Sequence, residues 1–287
     1  MIVFVFFACL FSMLLLVLSN NNYCSDGLAK YCCSSLLVYV YSDGSLSMNT
    51  TIQTMLGHRS IRQFTNDAIS AEQLKTIIAA GIAASSSSMI QATSIIRITD
   101  PEKRTALAHL AGDQAYVKQA AEFLVFCIDY QRHYSISAGV KPEYTELALI
   151  GAIDSGIMAQ NCLLAAESMG LGGVYIGGLR NNPHEVDALL NLPPYSAVLF
   201  GMCLGVPAQD PQSKPRLPMD MILHENEYQP LNKPLLAEYD QQTIDYYQQR
   251  SSHNKQQDWS SAVTATLSKE SRPFIASYLN SKGLMTK

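Results

Sequence analysis

From Met48 onward the apolar positions follow two alternating rhythms, a helical repeat near 3.6 residues and short uninterrupted runs of strand character. Ser70-Ala71-Glu72-Gln73 reads as a capping box, and Leu74, Ile77, Ile78 and Ile82 then recur at helical spacing until the quartet Ser85 to Ser88. Ser94 to Thr99 and Phe123 to Ile128 read as strands of one sheet. The second is apolar throughout, as a strand buried on both faces would be. Leu147 to Met169 is the longest helical pattern and is apolar on most sides, which suits a core or an interface; Gly170 follows where a left-handed cap would end it. Gly172 to Gly178 and Ala197 to Val206 read as two more strands, with a short helix, Glu185 to Leu190, stopped by Pro193-Pro194. The polar stretch Tyr239 to Asp258 and the interrupted helix Trp259 to Gly283 form an arm with few apolar residues to hold itself down, so it is expected to pack on a partner subunit. Without repeats or a long linker, the body after Met48 is one domain of α+β type.

The first 47 residues break this pattern. Ile2 to Leu18 is nearly all apolar, between a signal-peptide core and a membrane span in length, and no positive charge precedes it. Three readings fit: a secretory signal, a membrane anchor, or an upstream stretch outside the working protein. Met48-Asn49-Thr50-Thr51-Ile52 begins an ordinary sequence with a helical pattern directly after it, which favours the third.

Composition narrows the function classes. The chain has 287 residues, 48% of them apolar and only 15% charged, as a well-buried globular protein requires. A formal net charge of −4 leaves no general basic surface for nucleic acid. Cys127, Cys162 and Cys203 all sit inside apolar runs and read as buried thiols. No metal-ligand spacing is present.

Against this weakly charged background, two basic clusters stand out: Gly57-His58-Arg59-Ser60-Ile61-Arg62, and Lys214-Pro215-Arg216 far downstream. A phosphate monoester carries close to two negative charges and calls for several cationic donors from different segments. Taken singly, each motif has an ordinary reading. Arg59 and Arg62 could be one solvated helix face, Lys214 to Arg216 a charged loop tip, Ser85 to Ser88 a polar loop, and Gly177-Gly178 a simple turn. Gly170 to Gly173 follows a helix, not a strand, and so fails as a dinucleotide-binding loop.

In combination these segments are more specific. GHRSIRQFT (Gly57 to Thr65), SSSSMIQATSIIRITD (Ser85 to Asp100), AAEFLVFCIDYQRH (Ala120 to His133), MAQNCLLAAESMGLGGVYIGGLRNN (Met158 to Asn182), KPRLP (Lys214 to Pro218) and KESRPF (Lys269 to Phe274) together resemble the group A oxygen-insensitive nitroreductase and flavin reductase family. The resemblance runs from about Met48 to the end. It implies a mixed β-sheet flanked by helices, with an extended C-terminal arm, in a homodimer whose FMN sites lie at the subunit interface. His58, Arg59 and Ser60, followed by Ile61, would hold the FMN phosphate end, and Lys214, Pro215 and Arg216 would close on it. Arg62 would reach the pyrimidine edge of the flavin. Ser86 and Ser87 would hydrogen-bond the cofactor, and Gln114 the ring's polar edge. Tyr175, Ile176, Gly177 and Gly178 would run beside the ring, a glycine amide near its N5. Arg250 would meet the extra phosphate of NADPH, and Ser88, Met89, Lys269 and Arg272 would border the substrate pocket.

Physical chemistry supports these roles. An Arg beside the pyrimidine edge stabilises the negative charge that reduction places there, and a glycine lets backbone approach the ring closely. A bound flavin carries the reaction, so no catalytic side chain is required. The expected activity is ping-pong two-electron transfer from NADPH to nitroaromatics or quinones, with Met89 a soft, adaptable wall for varied acceptors. Free flavin as acceptor, or flavin binding without catalysis, are the alternatives. NADPH and FMN supply point to the cytoplasm, with no membrane partner unless the leader is an anchor.

Overall fold

Backbone contacts divide the chain after Ile52. The computed structural model describes residues 28–33, 36–41, 49–250 and 256–287. The apolar run Ile2 to Leu18 and the start at Met48 therefore lie outside the described residues. In the first unit, strands β1 (Leu28–Cys33) and β2 (Leu36–Tyr41) pair antiparallel, Leu28 opposite Tyr41 and Cys33 opposite Leu36.

The rest of the described chain runs α1 (Thr50–Leu56), α2 (Ala71–Ile82), β3 (Thr93–Arg97), α3 (Pro101–Leu110), α4 (Tyr116–Gln119), β4 (Glu122–Asp129), α5 (Gln131–Ile136), α6 (Thr145–Ser168), β5 (Gly172–Ile176), α7 (Pro183–Leu190), β6 (Ser196–Gly205), α8 (Lys233–Gln248), α9 (Trp259–Leu267) and α10 (Ile275–Ser281). The capping box forms as its sequence requires: Gln73 N–H donates to Ser70 Oγ at 3.1 Å, and Gln73 Oε1 accepts from Ser70 N–H at 3.0 Å. Gly170 takes φ +77° just past α6, a conformation that favours glycine.

Strands β3 to β6 form one sheet in the order β3-β4-β6-β5, every pair antiparallel. A parallel bridge between Ser60 and Gly173 beside β5 gives the described residues their mixed character. Alternate residues of β4 feed two cores. Phe123, Val125 and Cys127 join Leu107 of α3, Val186 of α7 and Tyr278 of α10, while Leu124 and Phe126 join Ile77 of α2 and Leu163 of α6. This burial on both faces explains why β4 is apolar throughout. Among the described residues, α6 alone is long and apolar enough to cross a membrane, yet it packs against α2 and the sheet.

The C-terminal arm is anchored on its own chain as well. Tyr239 to Gln248 closes the helix α8, held on its own chain by the buried Tyr239, whose hydroxyl donates to Pro215 O at 3.3 Å and whose ring lies against Trp259. Farther on, Tyr278 donates to Asp187 Oδ1 at 2.7 Å and accepts from Val198 N–H at 3.0 Å, and Lys282 Nζ stands 2.9 Å from Asp187 Oδ2. Two Tyr side chains with satisfied hydroxyls thus hold an arm that has few apolar residues of its own.

Candidate functional site

The two basic clusters meet because the backbone on either side of them is stitched to the sheet. Ile61 N–H donates to Gly173 O at 2.9 Å beside the Ser60–Gly173 bridge, placing residues 58–62 along the free edge of β5. Thr65 N–H donates to Val206 O and Ala208 N–H to Gln63 O, both at 2.9 Å, so the chain leaving β6 runs beside the same segment. The Arg59–Arg62 stretch is therefore extended, not one face of a helix.

The result is a cavity of about 370 Å³ lined by His58, Arg59, Ser60, Arg62, Lys214, Arg216 and Arg250, together with Gln209, Gln212, Tyr246 and Tyr247. Among the described residues no carboxylate lines it. A second cavity of about 800 Å³ shares Arg62 and Arg250 and adds Gln63, Tyr116, Gln249 and the carboxylate of Asp210. Arg59 pairs with Asp210. That carboxylate is highly exposed, and such pairs are worth about 1 kcal/mol or less, so an incoming anion can replace it. His58 Nδ1 lies 2.6 Å from Glu167 Oε1 on α6, which fixes the ring and leaves Nε2 for other partners. Lys214 Nζ and the Arg250 guanidinium sit over the Tyr247 ring at 5.7 and 5.9 Å, contacts worth about 0.5–1 kcal/mol each.

Beyond this cavity, β5 delivers Tyr175, Ile176, Gly177 and Gly178. Tyr175 is partly exposed, donates to Gln160 Oε1 at 3.2 Å and sets its ring edge on Phe200; burial pushes its hydroxyl pKa up. Ile176 is fully buried, so it offers a ligand only its backbone. A Cβ on Gly178 would come within 2.3 Å of Ala111 O and 2.6 Å of Gln114 Nε2, so packing alone already requires glycine there. Gln114 is itself occupied, donating to Ala111 O at 2.7 Å and accepting from Tyr116 Oη at 2.5 Å. Arg272 donates to Asn181 Oδ1 from Nε and Nη2 at 3.0 and 2.8 Å, at the end of the turn that Gly177 begins; Lys269 is exposed on the preceding loop.

Ser86 and Ser87 do not join the basic cavity. Their side chains donate to the buried Asp154 of α6, which the sequence reading did not single out. Ser88 and Met89 are exposed at the tip of that loop. Three polar residues of α6, Asp154, Gln160 and Glu167, each hold one segment of the expected site. Glu167 and Gln160 were missed as well, and the available signal was the presence of polar residues in a helix otherwise apolar on most sides.

Cations from three separate segments without a lining carboxylate fit the phosphate of a flavin nucleotide. The fold and this cavity together define an α+β protein with a cation-lined pocket at a sheet edge. The chain belongs to the nitroreductase family: its residues 55–206 match the nitroreductase family domain and residues 214–287 the family's C-terminal domain. It is 64% identical over 237 residues to the NADPH-flavin oxidoreductase of Vibrio harveyi, covering 83% of this chain and 99% of that one. It is 50% identical over 240 residues to the oxygen-insensitive NADPH nitroreductase of Salmonella typhimurium, covering 84% of this chain and 100% of the relative. Among solved structures it resembles the NADPH:FMN oxidoreductase from Vibrio harveyi complexed with NAD+, with a TM-score of 0.79, 62% identity, and coverage of 83% of this chain and 100% of that one.

Proposed function

We propose that the protein is an NADPH-dependent FMN oxidoreductase acting on small molecules by ping-pong two-electron transfer. The observation that carries this reading is the convergence of Arg59, Arg62, Lys214, Arg216 and Arg250 on connected cavities. Bound FMN supplies the redox chemistry, accepting a hydride from NADPH and passing two electrons to the acceptor. The protein binds and orients. His58, Arg59, Ser60, Lys214 and Arg216 hold the phosphate, with Ile61 and Pro215 setting their backbone, and Arg62 presents positive charge toward the pyrimidine edge. Tyr175 to Gly178 flank the ring together with Gln114. Arg250, which lines both cavities, binds the 2′-phosphate of NADPH, and Ser88, Met89, Lys269 and Arg272 border the acceptor.

The acceptor divides into nitroaromatics with quinones on one side and free flavin on the other. The higher identity to an NADPH-flavin oxidoreductase than to a nitroreductase, 64% against 50%, favours giving free flavin equal standing. In either case the protein works as a homodimer. Leu149, Ile153 and Ile157 form an exposed apolar stripe at helical spacing on α6, beside the serine loop, and a second copy would cover it and receive Ser86 and Ser87 at its own cofactor. Residues 48–287 constitute the working domain and residues 1–47 are dispensable, since relatives are covered almost whole by 83–84% of this chain. NADPH supply assigns it to the cytoplasm.

The test is an anaerobic spectrum of the chain expressed from Met48. NADPH should bleach a yellow flavin band, and a nitrofuran or free FMN should restore it. A colourless protein, or a band that NADPH leaves unbleached, would sink the reading. Relative rates of recovery rank the two acceptors.

A further inference from the structure

Helix α6 buries one carboxylate, Asp154, at 4% exposure, with no cation paired to it among the described residues. Its partners belong to the serine loop. Ser86 Oγ and Ser87 N–H donate to Oδ2 at 2.7 and 3.1 Å, and Ser87 Oγ donates to Oδ1 at 3.2 Å. The other end of the loop is also clamped: Arg132 Nη1 donates to Gln91 O at 3.1 Å, and His133 Nε2 lies 2.6 Å from Ile90 O. Between the clamps Ser88, Met89 and Gln91 take φ of 47°, 57° and 56°. Left-handed backbone is disfavoured for residues bearing a Cβ, and it persists only where the surroundings over-determine it. From Asp154 to Glu167, which holds His58, α6 rises roughly 20 Å, so the serine loop and the phosphate segment of one chain stand far apart along it.

We propose that Asp154 is a positioning residue: by holding Ser86 and Ser87 it fixes the serine loop in its left-handed form, ready to complete the cofactor cleft of a second copy of the chain. This rests on the cofactor and homodimer reading above. The buried carboxylate is retained in an apolar helix because it supplies two acceptor oxygens to three donors at once. An amide offers only one acceptor oxygen and turns N–H donors toward the remaining hydroxyl. Strain held this way makes the loop rigid at its base while Ser88 and Met89 project outward.

The experiment measures FMN affinity by fluorescence quenching, and the melting temperature, for the wild-type full chain, for Asp154→Asn and for Asp154→Asn combined with Ser88→Gly. Asp154→Asn should weaken FMN about tenfold. Adding Ser88→Gly should recover most of that loss, because glycine reaches positive φ without a clamp, while the melting temperature falls further through added unfolded-state entropy. A general structural role would move affinity and melting together. The proposal is overturned if Asp154→Asn binds FMN like wild type, or if the glycine restores nothing. Should Asp154→Asn fail to fold, Asp154→Glu and its Ser88→Gly double variant replace it, with a loss of about threefold and its recovery expected, and an unchanged affinity contradicting the proposal. Wild-type protein that binds no FMN would instead refute the parent reading and this inference with it.

Discussion

In the basic cavity, Arg62 makes no hydrogen bond or ion pair among the described residues, Lys214 only rests on a Tyr ring, and the one carboxylate paired to Arg59 is exposed. In the serine loop and around Asp187 the polar groups are instead closed into internal networks: Ser86 and Ser87 on Asp154, Tyr278 and Lys282 on Asp187. Both regions are rich in hydrogen-bonding groups, yet only the first leaves its charge available. A binding site keeps donors without partners at positions where water can serve them until a ligand arrives, whereas a buried polar group without a partner would destabilise the fold.

Breaking the closed network around Asp187 should affect stability, and breaking the open cavity should affect affinity. The largest effect is expected from Asp187→Ala, which strands Lys282 and Tyr278 in the interior. Removing one partner of a buried pair costs about 3–5 kcal/mol, readable as the shift in the urea unfolding midpoint. A change below about 1 kcal/mol would erase the distinction drawn here. Next, Lys214→Ala combined with Arg216→Ala should weaken FMN by about 100-fold or more, since hydrogen bonds to charged groups contribute about 1.5–3 kcal/mol each, with the unfolding midpoint unmoved. Arg250→Ala should raise KM for NADPH by about tenfold and leave NADH use within about twofold, as loss of a single 2′-phosphate contact would. Equal loss with both donors would remove Arg250 from that role.

The smallest effect concerns the thiols. Burial pushes Cys162 up to about 11 and Cys203 up to about 12, and raises Cys127 further. At pH 8 none of the three should react with a disulfide reagent until the chain unfolds. Because the folded values lie above the ordinary thiol value of 9.0, the contribution to stability is complete below about pH 9 and is lost as pH rises toward 11 to 12. Rapid labelling of folded protein would place a thiol at the surface.

Much of this was legible in the sequence where the determinants are local. The capping box at Ser70, the glycine cap at Gly170 and the all-apolar β4 each follow from a few adjacent residues, and the structure bears them out. Nonlocal determinants were not legible. In the Gln- and Tyr-rich α8 the positions that face inward are filled largely by Tyr and Thr instead of aliphatic residues, and its anchor, Tyr239, acts through one ring and one hydroxyl. The partner of Ser86 lies 68 residues away, inside a helix whose apolar neighbours mask it. The basic clusters were visible, but their convergence depends on the Ser60–Gly173 bridge and the pairing of residues 63–65 with 206–208, which no spacing reveals.

The most direct test of the basic cavity as a phosphate site is to titrate the apoprotein with FMN and with riboflavin, which share the ring and differ by the phosphate. FMN should bind at least about 100-fold more tightly at low salt, the gap narrowing as ionic strength rises and nearly closing in the Lys214→Ala and Arg216→Ala double variant. Equal affinity for the two in wild-type protein would mean that the convergent cations serve some other anion, and the assignment of the site would fall with it.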